Sequence, residues 1–198
     1  MILSPVTIWK KFDLTQALNA ETEAETLTPA GFVAQNVRLD GHLLADGGRV
    51  KIFARFTKPH GSEAAPALLL LPDADDDGAE LADYFAAKGY ATLIPDYCGR
   101  RGGKDTGKVT KSDTAANEAD AAKEDAAKAE EIAAEENTDG GKKNYTVYPE
   151  TADYANYEVS GAPAYLESES VENSAWMEWA YVALYALEYL KTRSDVSK

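Results

Sequence analysis

Alternate carboxylates closed by a glycine form the one stretch of this chain whose spacing suits a hard cation. Asp73-Ala-Asp75-Asp76-Asp77-Gly78 matches the first half of a calcium loop, D-x-[DN]-x-[DN]-G. In such a loop the carboxylates of Asp73, Asp75 and Asp77 converge and the glycine permits the sharp turn. Tyr84 stands where the bidentate glutamate belongs. An acidic turn whose last residues favour the N-terminus of the following helix accounts for the same residues without a metal, and is the better reading. Gly102-Gly-Lys-Asp-Thr-Gly107-Lys108 imitates a phosphate loop, but Val109 replaces the hydroxyl that would hold magnesium, so a surface loop is expected.

Nucleophilic catalysis needs a nucleophile and a base. The two histidines, His42 in a hairpin region and His60 in a Pro/Gly loop, are not placed like catalytic bases. No G-x-S-x-G occurs, and Ser160-Gly161 lacks both the first glycine and a preceding strand. Cys98 is the only cysteine, which excludes an internal disulfide framework and a cysteine zinc site. No cofactor is implied.

The elements that must position any site are readable from periodicity. Ala67-Leu-Leu-Leu-Leu-Pro-Asp73 reads as a strand buried on both faces, and Tyr90 to Ile94 as a second one stopped by Pro95. Between them Ala79 to Lys88 has helical spacing, with Gly89 at the C-terminal glycine position. Strand, helix, strand in about thirty residues is a βαβ unit, so an α/β fold with a parallel sheet is expected. Upstream, Phe32–Leu39 and Arg49–Phe56 read as strands joined through the turn Asp46-Gly47-Gly48. Downstream, Ser174–Lys191 is the strongest helix, with a stripe of Trp176, Trp179, Ala183, Ala186 or Leu187 and Leu190, and a second of Tyr181, Tyr185 and Tyr189. Tyr145–Tyr165 reads as an ordered loop or short helical turns.

Composition divides the chain. Residues 1–30 form an arm carrying Trp9 and Phe12, then a polar connector. Residues 31–111 and 142–198 form the core, and 112–141 are an acidic, alanine-rich helical insertion. That insertion holds ten acids against Lys123 and Lys128, more than half of the net charge of −14. The acidity argues against nucleic acid or an anionic membrane as partner. The start, Met-Ile-Leu-Ser-Pro, lacks the marks of a secretory signal, and no stretch approaches the ~20 apolar residues of a membrane span. A cytoplasmic protein is expected.

Lys51-Ile-Phe-Ala-Arg-Phe56, Leu68-Leu-Leu-Leu-Pro-Asp73 and Tyr84-Phe-Ala-Ala-Lys-Gly-Tyr-Ala-Thr-Leu-Ile-Pro-Asp-Tyr97 resemble the early strands of α/β-hydrolases. The branch is that of dienelactone hydrolase and acetyl-xylan-esterase-like proteins, which Tyr145-Thr-Val-Tyr-Pro-Glu150, Tyr154-Ala-Asn-Tyr157 and Trp176-Met-Glu-Trp179 also resemble. The resemblance implies hydrolysis of small carboxylic esters by a serine on a strand-turn-helix elbow. It implies that Ser174–Lys191 leads through Ser194–Lys198 toward the elbow strand. On this reading the chain is the N-terminal fragment of such an enzyme, with nucleophile, acid and histidine downstream, and is inactive alone. The family's oxyanion donor after the central strand corresponds to the backbone N–H of Ala74. A parallel sheet cut at its middle leaves an open edge and an uncovered helix face, so self-association through that edge and the Trp176/Trp179 helix is expected. The alternative is a non-catalytic binding or interaction protein built on a hydrolase-like half-fold.

Overall fold

The computed structural model describes residues 13, 15–61, 63–74, 76–99, 138–139, 142–156 and 174–197. Its centre is a hairpin of β3 (Val33–Leu43) and β4 (Arg49–Lys58), preceded by the short strands β1 (Glu21–Thr22) and β2 (Thr26–Leu27). Then follow β5 (Ala67–Leu69), α1 (Ala79–Ala87) and β6 (Ala91–Pro95). The two-residue strands β7 (Thr138–Asp139) and β8 (Lys142–Lys143), a 3-10 helix (Glu150–Ala155) and α2 (Ala175–Thr192) complete the described elements.

The main sheet has the order β1-β3-β4-β6-β5, with β2 also paired to β3. It is an open, mostly antiparallel sheet, not the parallel one expected. The hairpin reverses the chain at Asp46-Gly47-Gly48, where Gly47 takes φ 87°, and β4 then pairs antiparallel with β6 as well as with β3. Among the described strands β5 and β6 are the pair that runs parallel, joined by α1, as the βαβ reading expects. A second difference concerns β5. Its residues are half-buried and Leu71 beyond it is 52% exposed, whereas all five residues of β6 are buried. The leucine run lies at the sheet margin and β6 lies inside it, so apolar density alone did not rank them. The polar connector also contributes strands to the sheet. Glu21–Thr22 pair with β3, and the Glu23 carboxylate accepts hydrogen bonds from Arg38 and Asn36.

Alternation along the strands makes two faces. Val37, Leu39, Ile52, Ala54, Phe56 and Leu93 point to α2 and form the main core with Tyr181, Tyr185, Ala186 and Leu190. On the other face Ile94 meets Gly78 at the start of α1, and Arg55 and Thr57 lie beside Ala79 and Asp83. The tyrosine stripe on α2 meets the sheet together with Ala186 and Leu190 of the other stripe, while Trp176 remains 57% exposed and Leu187 37% exposed. The tyrosines fit because their hydroxyls find polar partners at the margin, Tyr189 accepting from Arg193 at 2.7 Å.

After α2 the chain turns and Val196 makes a parallel bridge to Ala65, just before β5. Ala65 N–H donates to the Asp195 carbonyl at 3.2 Å and Ser197 N–H donates to the Ala65 carbonyl at 2.9 Å. The chain thus steps from β5 to β6 on one side, then from β6 past β5 to its opposite side. Among the described residues no helix is long and apolar enough to cross a membrane. Trp9, Phe12, Asp75, the loop 102–108 and most of 112–141 lie outside the described residues.

Candidate functional site

Antiparallel pairing of β3 with β4 and of β4 with β6 gives β3, β5 and β6 one common direction. Their carboxyl ends therefore share one rim of the sheet. Open α/β sheets bind ligands at such a rim, where the strand order reverses. Here the reversal falls at β5, whose carboxyl end runs into Pro72, Asp73 and Ala74.

The segments of that rim are tied together through polar atoms. Tyr97, just beyond β6, donates its hydroxyl to the Pro72 carbonyl at 2.8 Å, and Tyr148 donates to the Tyr97 carbonyl. Burial and the nearby Asp96 carboxylate push the Tyr148 hydroxyl well above the ordinary tyrosine range, so it remains a donor. Asp96 accepts from the Thr146 N–H at 2.8 Å, and the Thr146 hydroxyl accepts from the Phe53 N–H at 2.9 Å. Aromatic rings cover this frame. Tyr97 packs edge-on to Trp179 with centroids 5.6 Å apart, and Trp176 lies 5.6 Å from Trp179. The Trp179 indole N–H donates to the Ala155 carbonyl at 2.7 Å, linking α2 to the 3-10 helix.

Ala74 is half-buried in the turn after β5, and none of the described residues accepts a hydrogen bond from its N–H. The acidic turn beside it is used internally. Asp76 accepts from the Gly78 N–H at 2.8 Å and Asp77 from the Ala79 N–H at 2.9 Å, which satisfies donors at the start of α1. The Asp73 carbonyl accepts from the Asp76 N–H at 2.9 Å. Among the described residues no group of three or more His, Cys, Asp or Glu is placed to hold a metal ion.

A second constellation escapes sequence reasoning. His42 sits where the β3–β4 register shifts between Asp40 and Leu43, and its Nδ1 lies 3.0 Å from Glu178 Oε2 on α2. Glu178 is 1% exposed. Tyr154, on the 3-10 helix, hydrogen-bonds the same carboxylate, and burial together with that charge raises its hydroxyl above the usual range. The Tyr181 ring lies 4.6 Å from the imidazole. A carboxylate that fixes an imidazole is the base-and-orienter half of a triad. Yet β3 stands three strand spacings from β5, about 14 Å, too far for His42 to serve a nucleophile at the Ala74 end of the rim. One signal was present in the sequence: Glu178 is the lone acid on the buried stripe that includes Tyr181, Val182 and Tyr185.

A cavity of about 360 Å³ opens on the other face, between Arg38, Lys51, Phe53, Lys143 and Tyr145. Two of its cations are spent internally, Arg38 on Glu23 and Lys51 on Asp40. No protein-family model, curated protein or solved structure matches the chain.

Proposed function

We propose that this chain carries the N-terminal half of a serine α/β-hydrolase acting on small carboxylic esters, and that it is inactive by itself. The observation that carries the reading is the reversal of strand order at β5. β6 lies on one side of it and the Val196 segment on the other, with α1 and α2 on opposite faces. A strand continuing from Val196 along β5 would bring an elbow serine to the rim beside Ala74. There the unengaged Ala74 N–H is the backbone donor for an oxyanion. The Tyr97, Trp179 and Trp176 rings would flank the ester. No G-x-S-x-G occurs in these 198 residues, so on this reading a C-terminal half would have to supply the nucleophile, acid and histidine.

A fluorophosphonate probe tests this. The 198-residue chain is expected to remain unlabelled. A polypeptide encoded by the same reading frame through a further C-terminal half is expected to be labelled on a serine within about fifteen residues of Lys198. Labelling of the short chain, or a continuation without such a serine, overturns the proposal.

A second reading, a non-catalytic interaction protein, is favoured by the exposure of Trp176 and of Leu71 just past β5, whose outer edge is paired among the described residues only at Ala65. Self-association through that edge and the Trp176/Trp179 face is its expected form.

A further inference from the structure

We propose that His42 and Glu178 form a charge-dependent latch that pins the first turns of α2 to the bulge of β3, tight when the imidazole is cationic and looser when it is neutral. The inference rests on this pair alone and holds whether or not the chain belongs to a hydrolase.

Glu178 projects from the buried face of α2 into the core, and a carboxylate removed from water must be compensated where it lies. Among the described residues two groups reach it, the Tyr154 hydroxyl and His42 Nδ1. Among the described residues the pair is also faced by Tyr148 ahead of the 3-10 helix and by Tyr181 and Tyr185 on α2. From β4, Arg49 donates to the Gly41 carbonyl at 3.4 Å and lies 4.0 Å from Asp40. His42 is therefore the hydrogen-bonded partner of Glu178 that can carry a positive charge. A cationic donor makes a hydrogen bond about twice as strong as a neutral one, so loss of the second proton weakens the contact without abolishing it.

Around the pair, burial opposes ionisation of Asp40 but hydrogen bonds from Lys51 and Asn19 hold it below its usual range, while burial raises Tyr148, Tyr154 and Tyr185. The other histidine, His60, lies exposed in the loop before β5. The turns that the latch holds carry Trp179 and Trp176, so loosening it moves the aromatic cover of the carboxyl-end rim.

Hydrogen–deuterium exchange of the Trp179–Ala183 amides, corrected for intrinsic rate, tests the latch at pH 5.5 and pH 8. The wild-type opening equilibrium is expected to rise about fivefold at the higher pH, the difference between a charge-assisted and a neutral hydrogen bond. His42→Gln and Glu178→Gln are each expected to remove that dependence. Glu178→Gln leaves no buried charge and decides the matter if His42→Gln does not fold. A flat wild-type profile, or a pH dependence that survives in Glu178→Gln, overturns the proposal.

Discussion

Asp195 is gripped by both arms of Arg193, Nε to Oδ1 and Nη2 to Oδ2 at 2.7 Å each. The same guanidinium lies 3.7 Å from the centroid of the Phe56 ring, and Lys58 donates to Asp195 at 3.1 Å. This fork fixes the turn after α2 and so sets Val196 beside Ala65. The Arg193 hydrogen bonds, aided by Lys58 and opposed by burial, hold the Asp195 carboxyl down to about 2. A carboxylate with a depressed folded value contributes stability above its unfolded value, near 4, and that stability is lost as pH falls toward 2. For a pair this close to solvent the contribution is of order 1 kcal/mol. Asp195→Asn is expected to lose that amount at pH 7 and almost nothing at pH 2. Urea midpoints at the two pH values check this.

Gly78 starts α1 with φ 68°, and a Cβ there would lie 2.7 Å from Ile94 Cδ1 and 3.1 Å from Pro72 Cγ. Left-handed backbone and a close neighbour both oppose a side chain. Gly78→Ala is expected to cost about 2–3 kcal/mol. Ile94→Val removes the nearest atom, so the double variant is expected to be less than additively destabilised. Chemical denaturation of the four members of the cycle measures the coupling. Strict additivity contradicts the contact.

Local pattern made the βαβ unit, the glycine turn and α2 legible, because each is fixed by residues close in sequence. Gly89 marks the end of α1 and Asp46-Gly47-Gly48 the hairpin, where φ above zero is required. Strand direction was not legible. Nothing in Arg49–Lys58 says that its second neighbour is the antiparallel β6, a choice made by long-range pairing such as Arg55 with Ile94. The leucine run also misled, since five consecutive apolar residues mark burial without saying which strand lies innermost. Ala74 is a candidate through family resemblance and not through any local pattern. The His42–Glu178 pair joins residues 136 apart and had no local signature beyond one acid on an apolar stripe.

Thr146 couples the segment before the 3-10 helix to the sheet. It is fully buried, its hydroxyl accepts from the Phe53 N–H, and its own N–H donates to Asp96. Thr146→Val keeps the shape and strands one backbone donor, a loss of about 1–3 kcal/mol. Thr146→Ser restores the acceptor and is expected to recover most of the hydrogen-bond contribution, while giving up the buried methyl. Equal destabilisation by Val and Ser would mean that packing, and not the hydrogen bond, sets the cost.

Trp176 is the exposed member of the Trp176–Trp179 pair and lies on the helix face turned from the core. More than half of its surface already meets water, so Trp176→Ser is expected to change the unfolding free energy by less than about 0.5 kcal/mol. Its effect on association is expected to be larger, because an aromatic anchor contributes ~2 kcal/mol or more at the centre of an interface. Sedimentation velocity over a hundredfold concentration range separates the two. If the chain self-associates through this face, the wild type sediments faster as concentration rises and the variant does not. A wild type that stays monomeric throughout removes the self-association reading and leaves the rim for a ligand.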